Sequence, residues 1–424
     1  MDTVAKILSL LETGQQEEAL KQCQQVLLTG TDEEKYDLAE ELSRYGFLEE
    51  AAEIFLNLME KYPDEAELII LLAEVYLEMG QEEDAMLLLE QIDQKAPSYP
   101  QALLLLADLY QMNGLFEVSE NKLLTAKNIL PQEVIIDFAL GELYGELGKF
   151  QDAIASYNVV LEKGTKEVAG ISIHHRIAEM LSASGFFEEA IHYYDLALKE
   201  KLEINLLFGY ALTALQAGNN RTAIEKFEQL KELDPEYHSL YLYLAKAYEK
   251  EEEINKSFEV VIEGISYDQF NKDLYFYAGK LALKLGNEEE AEKLIRESIA
   301  VDPEFTEAVL VLNKLLIKQE RYEDVLELIK AIDVHEEDEP QLLWDEAIAY
   351  ENLEEYSQAL NKYLAAYTFF KKNEDFLSDY GYFLIGEGKR AEAVEIFSEL
   401  LKNDPTNEEY QELIVRLLDQ EVEM

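Results

Sequence analysis

Six lysines recur at fixed spacing in the second half of the chain, and together they could bind carboxylates. They form three pairs whose members are four residues apart: Lys246 and Lys250, Lys280 and Lys284, Lys314 and Lys318. Residues four apart lie on the same side of a helix, so each pair presents two ammonium groups in one direction. On neighbouring helices, the six would receive an acidic segment or a terminal carboxylate. Alternatively, nearby acids such as Glu249 or Asp273 neutralise them, and the lysines only solubilise the surface.

Acidic residues recur with nearly the same spacing in the first half of the chain. The set comprises Glu40, Glu74, Asp108, Glu142 and Glu179. Such a row of carboxylates attracts a basic protein surface and raises its association rate more than its affinity. The alternative is a solvated face without a partner.

The sequence predicts no catalytic residues, no metal site and no cofactor. Five histidines lack the HExxH spacing of a metalloprotease, and adjacent histidines diverge on a helix. They are His174, His175, His192, His238 and His335. The glycines do not cluster into a phosphate-binding loop. Cys23, the single cysteine, lies at an apolar position and is predicted to be a small buried side chain rather than a reactive thiol.

Composition predicts a folded, acidic, cytoplasmic protein. The 424 residues include 36 Lys and Arg and 89 Asp and Glu, a formal net charge of −53, yet 48% of residues are hydrophobic. That apolar content is enough to offset the entropy cost of ordering the chain. A single cysteine excludes an internal disulfide framework, and the first residues, MDTVAKILSL, lack the pattern of an export signal.

The excess of carboxylates favours protein partners over nucleic acid. Binding to a duplex backbone needs a concentrated basic surface, which this composition does not provide. No run approaches eighteen uninterrupted apolar residues, so no membrane span is predicted. We expect protein or peptide partners, including a basic protein such as a polymerase, a ribosomal protein or another nucleic-acid-handling machine.

Prolines and glycines indicate the elements that position these charges. Three prolines are 34 residues apart: Pro63, Pro97 and Pro131. Four glycines keep the same step: Gly46, Gly80, Gly114 and Gly148. Proline interrupts helices and glycine allows tight turns, so this period predicts pairs of helices joined by turns. A small residue and a large apolar residue recur at fixed distances after these glycines. This pattern predicts that small residues pack against large ones between helices.

The repeat resembles the tetratricopeptide repeat, a pair of antiparallel helices. The resemblance rests on the order of Ala, Tyr, Gly, Ala, aromatic and Pro in segments such as LAEVYLEMGQEEDAMLLLEQIDQKAP. It implies an all-α, right-handed superhelical solenoid of about twelve helix pairs over residues 1–406, with a C-terminal capping helix over 407–424. In three units glutamate replaces the turn glycine: Glu252, Glu320 and Glu354. The chain is also similar to the YpiA-type all-repeat proteins of Gram-positive bacteria.

This resemblance also implies which residues line a binding groove. In the family, the first helix of each unit lines the concave surface through its second, fifth, ninth, twelfth and thirteenth positions. The acidic row and the first lysine of each pair hold the ninth position, so the groove would change from acidic to basic along the chain. Three aromatic residues at the fifth position would face outward as binding anchors: Phe208, Phe276 and Trp344. Burial in the core is the usual alternative for such side chains.

These features predict a non-enzymatic scaffold for protein–protein interactions. Its groove would be acidic in units two to six and lined by lysines and aromatic residues in units eight to eleven. The alternative is self-assembly, in which the basic zone of one molecule meets the acidic zone of another. Three extra residues near 163–173 predict either a hinge or a longer turn between the fifth and sixth units.

Overall fold

The chain is almost entirely helical. The computed structural model describes residues 3–332 and 339–422, with side chains as far as Leu418. It divides into two compact units, residues 1–209 and 210–424. The helices that lie wholly in the first unit are α1 Thr3–Glu12, α2 Gln16–Thr29, α3 Asp32–Arg44, α4 Leu48–Lys61, α5 Ala66–Glu78, α6 Glu82–Leu89, α7 Tyr99–Met112, α8 Phe116–Ile129, α9 Val134–Glu146, α10 Phe150–Glu162, α11 Ile173–Ala183 and α12 Phe187–Glu200.

Helix α13, Ile204–Gln216, contains the residue at which the two units divide. The helices that lie wholly in the second unit are α14 Asn220–Leu233, α15 Ser239–Lys250, α16 Ile254–Tyr267, α17 Lys272–Lys284, α18 Glu288–Val301, α19 Thr306–Lys318, α20 Tyr322–Ala331, α21 Pro340–Asn352, α22 Tyr356–Phe370, α23 Glu374–Gly386, α24 Arg390–Asn403 and α25 Glu408–Val422.

Among the described residues, odd-numbered helices are followed after a short turn by even-numbered ones, and this order gives twelve helix pairs with α25 after the last. Within each unit, the helices make their main contacts with helices that are next to them, or next but one, in the chain. The predicted solenoid of helix pairs with a final helix is therefore confirmed. Its right-handed superhelical twist stays a prediction.

Large apolar side chains of the second helices fill the space beside small residues of the first helices. A Cβ atom at Gly141 in α9 would lie 2.4 Å from the ring of Tyr157 in α10. A Cβ atom at Gly279 in α17 would lie 2.5 Å from the side chain of Ile295 in α18. Tyr157 and Ile295 are both buried. The predicted small-against-large packing between helices is confirmed at these positions.

One residue in the turn of each pair has a left-handed backbone. Glycine holds this position in nine pairs, and glutamate holds it in three, with φ of 64° at Glu252, 59° at Glu320 and 61° at Glu354. The glutamate turns keep the hydrogen bonds of the glycine turns. The N–H of Glu355 donates to the carbonyl of Tyr350 at 2.9 Å, and the N–H of Glu354 donates to the carbonyl of Glu351 at 3.1 Å. The glutamates therefore adopt a backbone that is unfavourable for any residue with a Cβ atom.

Glu354→Gly is expected to raise the free energy of unfolding by about 0.5–1 kcal/mol, because glycine removes the cost of a left-handed residue but adds some backbone entropy to the unfolded chain. The measurement is urea denaturation followed by circular dichroism. Glu355→Gly is the matched control, since Glu355 has an ordinary φ of −88° and should lose stability when replaced. A loss of stability in both variants would contradict the account of the turn.

The insertion near 163–173 forms a short β-hairpin. Strand β1, Glu167–Val168, pairs antiparallel with β2, Ile171–Ser172. Ala169 and Gly170 make the tight turn, with φ of 50° and 81°. Val168 is buried, and the side chain of Ser172 caps α11. The insertion is thus a hairpin packed beside the flanking helices, and its action as a hinge stays a prediction.

A buried ion-pair network joins α8, α9 and the end of α10. Asp137 in α9 is only 4% exposed. Its Oδ2 atom contacts the ammonium of Lys127 and lies 2.6 Å from the Nζ atom of Lys163. Both ammonium groups also donate to the carbonyl of Pro131, at 3.1 and 2.8 Å. One carboxylate therefore balances two positive charges that have lost much of their water.

Candidate protein-interaction surfaces

The acidic row lies on the first helices of the first unit, and two of its members share a recess. Glu40, Glu74, Asp108, Glu142 and Glu179 lie on α3, α5, α7, α9 and α11. A cavity of about 560 Å³ opens between α7 and α9. It is lined by Leu104, Asp108, Gln111, Met112, Ile135, Phe138, Ala139, Glu142 and Glu146.

The composition of this recess agrees with the predicted groove register. All of its lining residues except Ala139 hold the second, fifth, ninth, twelfth or thirteenth position of the fourth or fifth helix pair. Met112 is 72% exposed and Ile135 38% exposed, while Phe138 is buried at the floor. The recess therefore combines exposed apolar side chains with carboxylates, and no lysine or arginine lines it.

Several carboxylates of the acidic row already have cationic partners. Glu40 pairs with Arg44 one turn later, at 2.7 Å. Arg176 of α11 bridges two others, with distances of 3.0 Å to Glu142 and 2.9 Å to Glu179. The hydroxyl of Tyr157 also donates to Glu142, at 2.5 Å. These contacts reduce the negative charge that Glu40, Glu142 and Glu179 offer to a partner.

Glu74 and Asp108 are the carboxylates of this row that lack a cationic partner among the described side chains. Nearby protein atoms displace part of the water around both groups, which raises the pKa of each carboxyl above its ordinary value. Glu74 accepts a hydrogen bond from Gln101, which lowers its pKa in part. Asp108 lies exposed on the wall of the recess. A cationic group placed beside Asp108 would stabilise its charged form.

The lysine set lies on α15, α17 and α19 of the second unit, and glutamates pair with half of it. Lys280 lies 3.5 Å from Glu307, Lys318 lies 2.6 Å from Glu288, and Lys284 contacts Glu249. The predicted alternative, neutralisation by neighbouring acids, is confirmed for these three lysines. Glu249 is one of the two acids named for that role.

The other three lysines make no ion pair with the side chains that the structure describes. Lys246 is half-buried, and its Nζ atom lies 5.3 Å from the ring centroid of Tyr243 and 5.9 Å from that of Tyr277. Lys250 and Lys314 are exposed. Lys246 on α15 therefore lies beside Tyr277 of the neighbouring first helix, α17. Three of the six ammonium groups are therefore left without an ion pair among the described side chains.

The aromatic anchors differ from their predicted exposure. The expectation that Phe276 faces outward is wrong: it is 5% exposed, and its ring packs edge-on against Phe305 at a centroid distance of 5.0 Å. Trp344 is half-buried between Phe370 and Phe376, and its indole N–H donates to Asp379 at 3.1 Å. Phe208 is half-buried in α13. Packing between neighbouring pairs therefore uses much of the aromatic surface that was expected to be free.

Cys23 is buried, His175 is shielded in part from water, and His174 lies beside an acid. Cys23 is buried, and burial raises the pKa of its thiol to about 11, as expected of a small apolar core residue. His174 lies 3.0 Å from Glu200, and burial lowers the pKa of His175. His335 lies outside the described residues.

Comparison with known proteins places these helix pairs in a family. Models described as "YpiA-like, C-terminal tetratricopeptide repeats" and "YpiA-like, tetratricopeptide repeats" match residues 340–407 and 111–165. General tetratricopeptide repeat models match residues 46–109 and 273–305. The TPR repeat-containing protein YpiA of Bacillus subtilis (strain 168) is 42% identical over 417 residues, which are 98% of each chain. The chain belongs to the YpiA-like tetratricopeptide repeat family.

Solved structures similar to this YpiA-like chain are also tetratricopeptide repeat proteins. YrrB, described as having an unusual peptide-binding site, is 15% identical and has a TM-score of 0.39, with 44% of this chain and 95% of YrrB covered. The C-terminal part of a repeat protein from Cytophaga hutchinsonii is 14% identical and has a TM-score of 0.49, with 56% and 96% covered. Such likeness concerns the fold alone. Among the described residues of the YpiA-like chain, no helix has the length and apolar character needed to cross a membrane.

Several residues that shape these surfaces in the YpiA-like chain were not predicted from the sequence. Met112, Ile135 and Glu146 hold groove positions and complete the recess, so a reading of all five positions could have found them. Arg176 follows the fifth position and carries no such signal. Its role depends on the distance between α9 and α11, which only the structure supplies. All-repeat families of this kind are generally non-catalytic scaffolds.

Proposed function

We propose that this YpiA-like chain is a non-enzymatic cytoplasmic scaffold whose first-helix surfaces bind segments of partner proteins. The observation that carries this proposal is the recess between α7 and α9, where groove positions of two neighbouring helix pairs converge. Exposed apolar side chains beside an unpaired carboxylate are suited to holding a partner segment. A reducing compartment agrees with a single, buried cysteine.

The first compact unit, residues 1–209, is proposed to bind a basic segment of a partner protein, such as one exposed by a nucleic-acid-handling machine. Asp108 and Glu74 supply the carboxylates that no cation of the described chain pairs with. Long-range attraction by the net charge of −53 would raise the association rate of a basic partner. Salt should weaken this step, because the Debye length is about 8 Å at physiological ionic strength.

In the second unit, a proposed docking surface for an acidic segment consists of Lys246, Lys250 and Lys314. The aromatic rings under Lys246 hold its ammonium group in place. Trp344 in the second compact unit and Phe208 in the first keep part of their surface exposed. Each could contribute apolar contacts to a partner of its own compact unit. Phe276 lies in the core, where its ring contacts the ammonium of Lys280 at 4.8 Å, and neither residue belongs to this docking surface.

The test is capture of partners from a native bacterial lysate by the full chain at low and high salt, followed by affinity measurements with the purified partners. An acidic-zone variant carries Glu74→Gln and Asp108→Asn. A lysine-zone variant carries Lys250→Glu and Lys314→Glu, and its matched control carries Lys371→Glu and Lys372→Glu, which change two exposed lysines outside the zone.

A basic partner should bind at least tenfold more weakly to the acidic-zone variant, a loss of about 1.4 kcal/mol, and should dissociate as salt rises. An acidic partner should be weakened by the lysine-zone variant alone. Partners that bind all variants equally would contradict both surfaces. If the chain recovers only itself and its mass by light scattering falls as salt rises, the second candidate is favoured, namely self-assembly through contacts between the free lysines and the acidic row.

A further inference from the structure

The recess between α7 and α9 is lined by apolar side chains as well as by carboxylates. Met112 and Ile135 are exposed at its rim, and Leu104 is half-buried in its wall. Its floor is fixed, because the ring of Phe138 packs against Tyr157 at a centroid distance of 6.0 Å. A partner that covers these side chains with apolar groups would gain free energy by removing them from water.

Two carboxylates of the recess, Asp108 and Glu146, have no cationic partner among the described side chains. Glu142 is engaged by Arg176 and by the hydroxyl of Tyr157. Glu146 accepts a hydrogen bond from Gln111. Asp108 has no ion pair or hydrogen bond with the described side chains, and its carboxyl has a raised pKa because protein atoms displace part of the water around it. The unpaired charges of Asp108 and Glu146 therefore lie beside the exposed apolar side chains of Met112 and Ile135.

We propose that this recess recognises a combined motif, a large apolar side chain next to a lysine or arginine, and does not bind basic segments in general. The apolar side chain enters the opening between Ile135 and Phe138, and the neighbouring cation pairs with Asp108. A volume of about 560 Å³ has room for more than one large side chain. This inference rests on the proposed function of the first unit and names its ligand class.

The experiment uses four short labelled peptides in a Gly–Ser background and the full chain, with binding followed by fluorescence anisotropy at low salt. The basic–apolar probe contains Lys and Leu. The basic probe has Ser in place of Leu, the apolar probe has Ser in place of Lys, and the acidic–apolar probe has Glu in place of Lys. Comparison among the probes separates the contribution of charge from that of the apolar side chain.

Two variants alter the apolar part of the recess. Ala139→Phe fills the opening, and Ile135→Ser removes apolar surface from the rim without adding volume. Leu124→Ser is the matched control for Ile135→Ser, because Leu124 is exposed to a similar extent on α8 and does not line the recess. Ile135 is partly exposed, so its replacement tests the opening even if Ala139→Phe fails to fold.

One variant alters the charge. Asp108→Asn removes one unpaired carboxylate of the recess, and Glu162→Gln is its control, since it removes one exposed negative charge on α10. We expect the basic–apolar probe to bind at least tenfold more tightly than either the basic or the apolar probe. Ile135→Ser and Ala139→Phe should reduce its affinity to that of the basic probe. Asp108→Asn should weaken both lysine-containing probes, and the two controls should change nothing.

The outcomes separate this inference from the proposed function. The basic and basic–apolar probes could bind equally, with only Asp108→Asn weakening them. That result would support the proposed acidic docking surface and contradict the proposed binding of an apolar side chain in the recess. If the apolar and basic–apolar probes bind equally, the role of Asp108 is wrong. If no lysine-containing probe binds more tightly than the acidic–apolar probe, both the inference and the acidic docking surface are overturned.

Discussion

Asp137→Ala is expected to lower the free energy of unfolding by about 3 kcal/mol, because it leaves Lys127 and Lys163 close together without their carboxylate. Both lysines are half-buried, so water replaces the lost partner only in part. The measurement is urea denaturation followed by circular dichroism. Urea is preferred to guanidinium chloride, since a salt would screen the repulsion that the variant creates.

The control for this prediction is Asp152→Ala, which removes an exposed carboxylate in the first turn of α10. It should change the free energy of unfolding by no more than about 0.5 kcal/mol, as is usual for a surface substitution. An equal, small effect of Asp137→Ala and Asp152→Ala would show that the buried network contributes little to stability.

Gly279→Ala is expected to lower the free energy of unfolding by about 2 kcal/mol, because the added methyl group overlaps the side chain of Ile295. Ile295 is fully buried, so it has little room to move away. Alanine favours a helix over glycine by about 1 kcal/mol, so a net loss requires the overlap to exceed that gain. The urea concentration at the midpoint of unfolding measures the net change in stability.

Gly386→Ala is the matched control in the same unit. Gly386 ends α23, and a Cβ atom there meets no other atom within 4 Å. This variant should therefore gain about 0.5 kcal/mol from helix propensity. Opposite signs for the two glycine replacements would confirm that close approach between helices, and not helix propensity, requires glycine at position 279. A gain in both would contradict the packing account.

Much of the fold could be predicted from the sequence, because the same pattern of residue types recurs from repeat to repeat. The 34-residue step of prolines and glycines gives the helix pairs, and the same register assigns a left-handed turn to Glu252, Glu320 and Glu354. It also predicts that Asp108 and Glu142 face a common surface, and the structure brings them together in one recess. These features depend on position along the chain, which the sequence contains.

Side-chain burial and pairing could not be predicted in the same way. Adjacent positions on a helix point about 100° apart, so a small rotation of α17 decides whether Phe276 is exposed or packs on Phe305. The pairs of Lys280 with Glu307 and Lys284 with Glu249 join residues of neighbouring first helices. Their formation depends on rotamers and on distances between helices, which a repeat pattern does not specify.

The packing of each helix against its near neighbours in the chain also bears on how the protein is made. Contacts between residues that are close in sequence form quickly, because little loop-closure entropy must be lost for each. In such an array, stability is approximately a sum of local terms and of interfaces between adjacent repeats. An early helix pair can therefore begin to fold while the ribosome is still adding later ones.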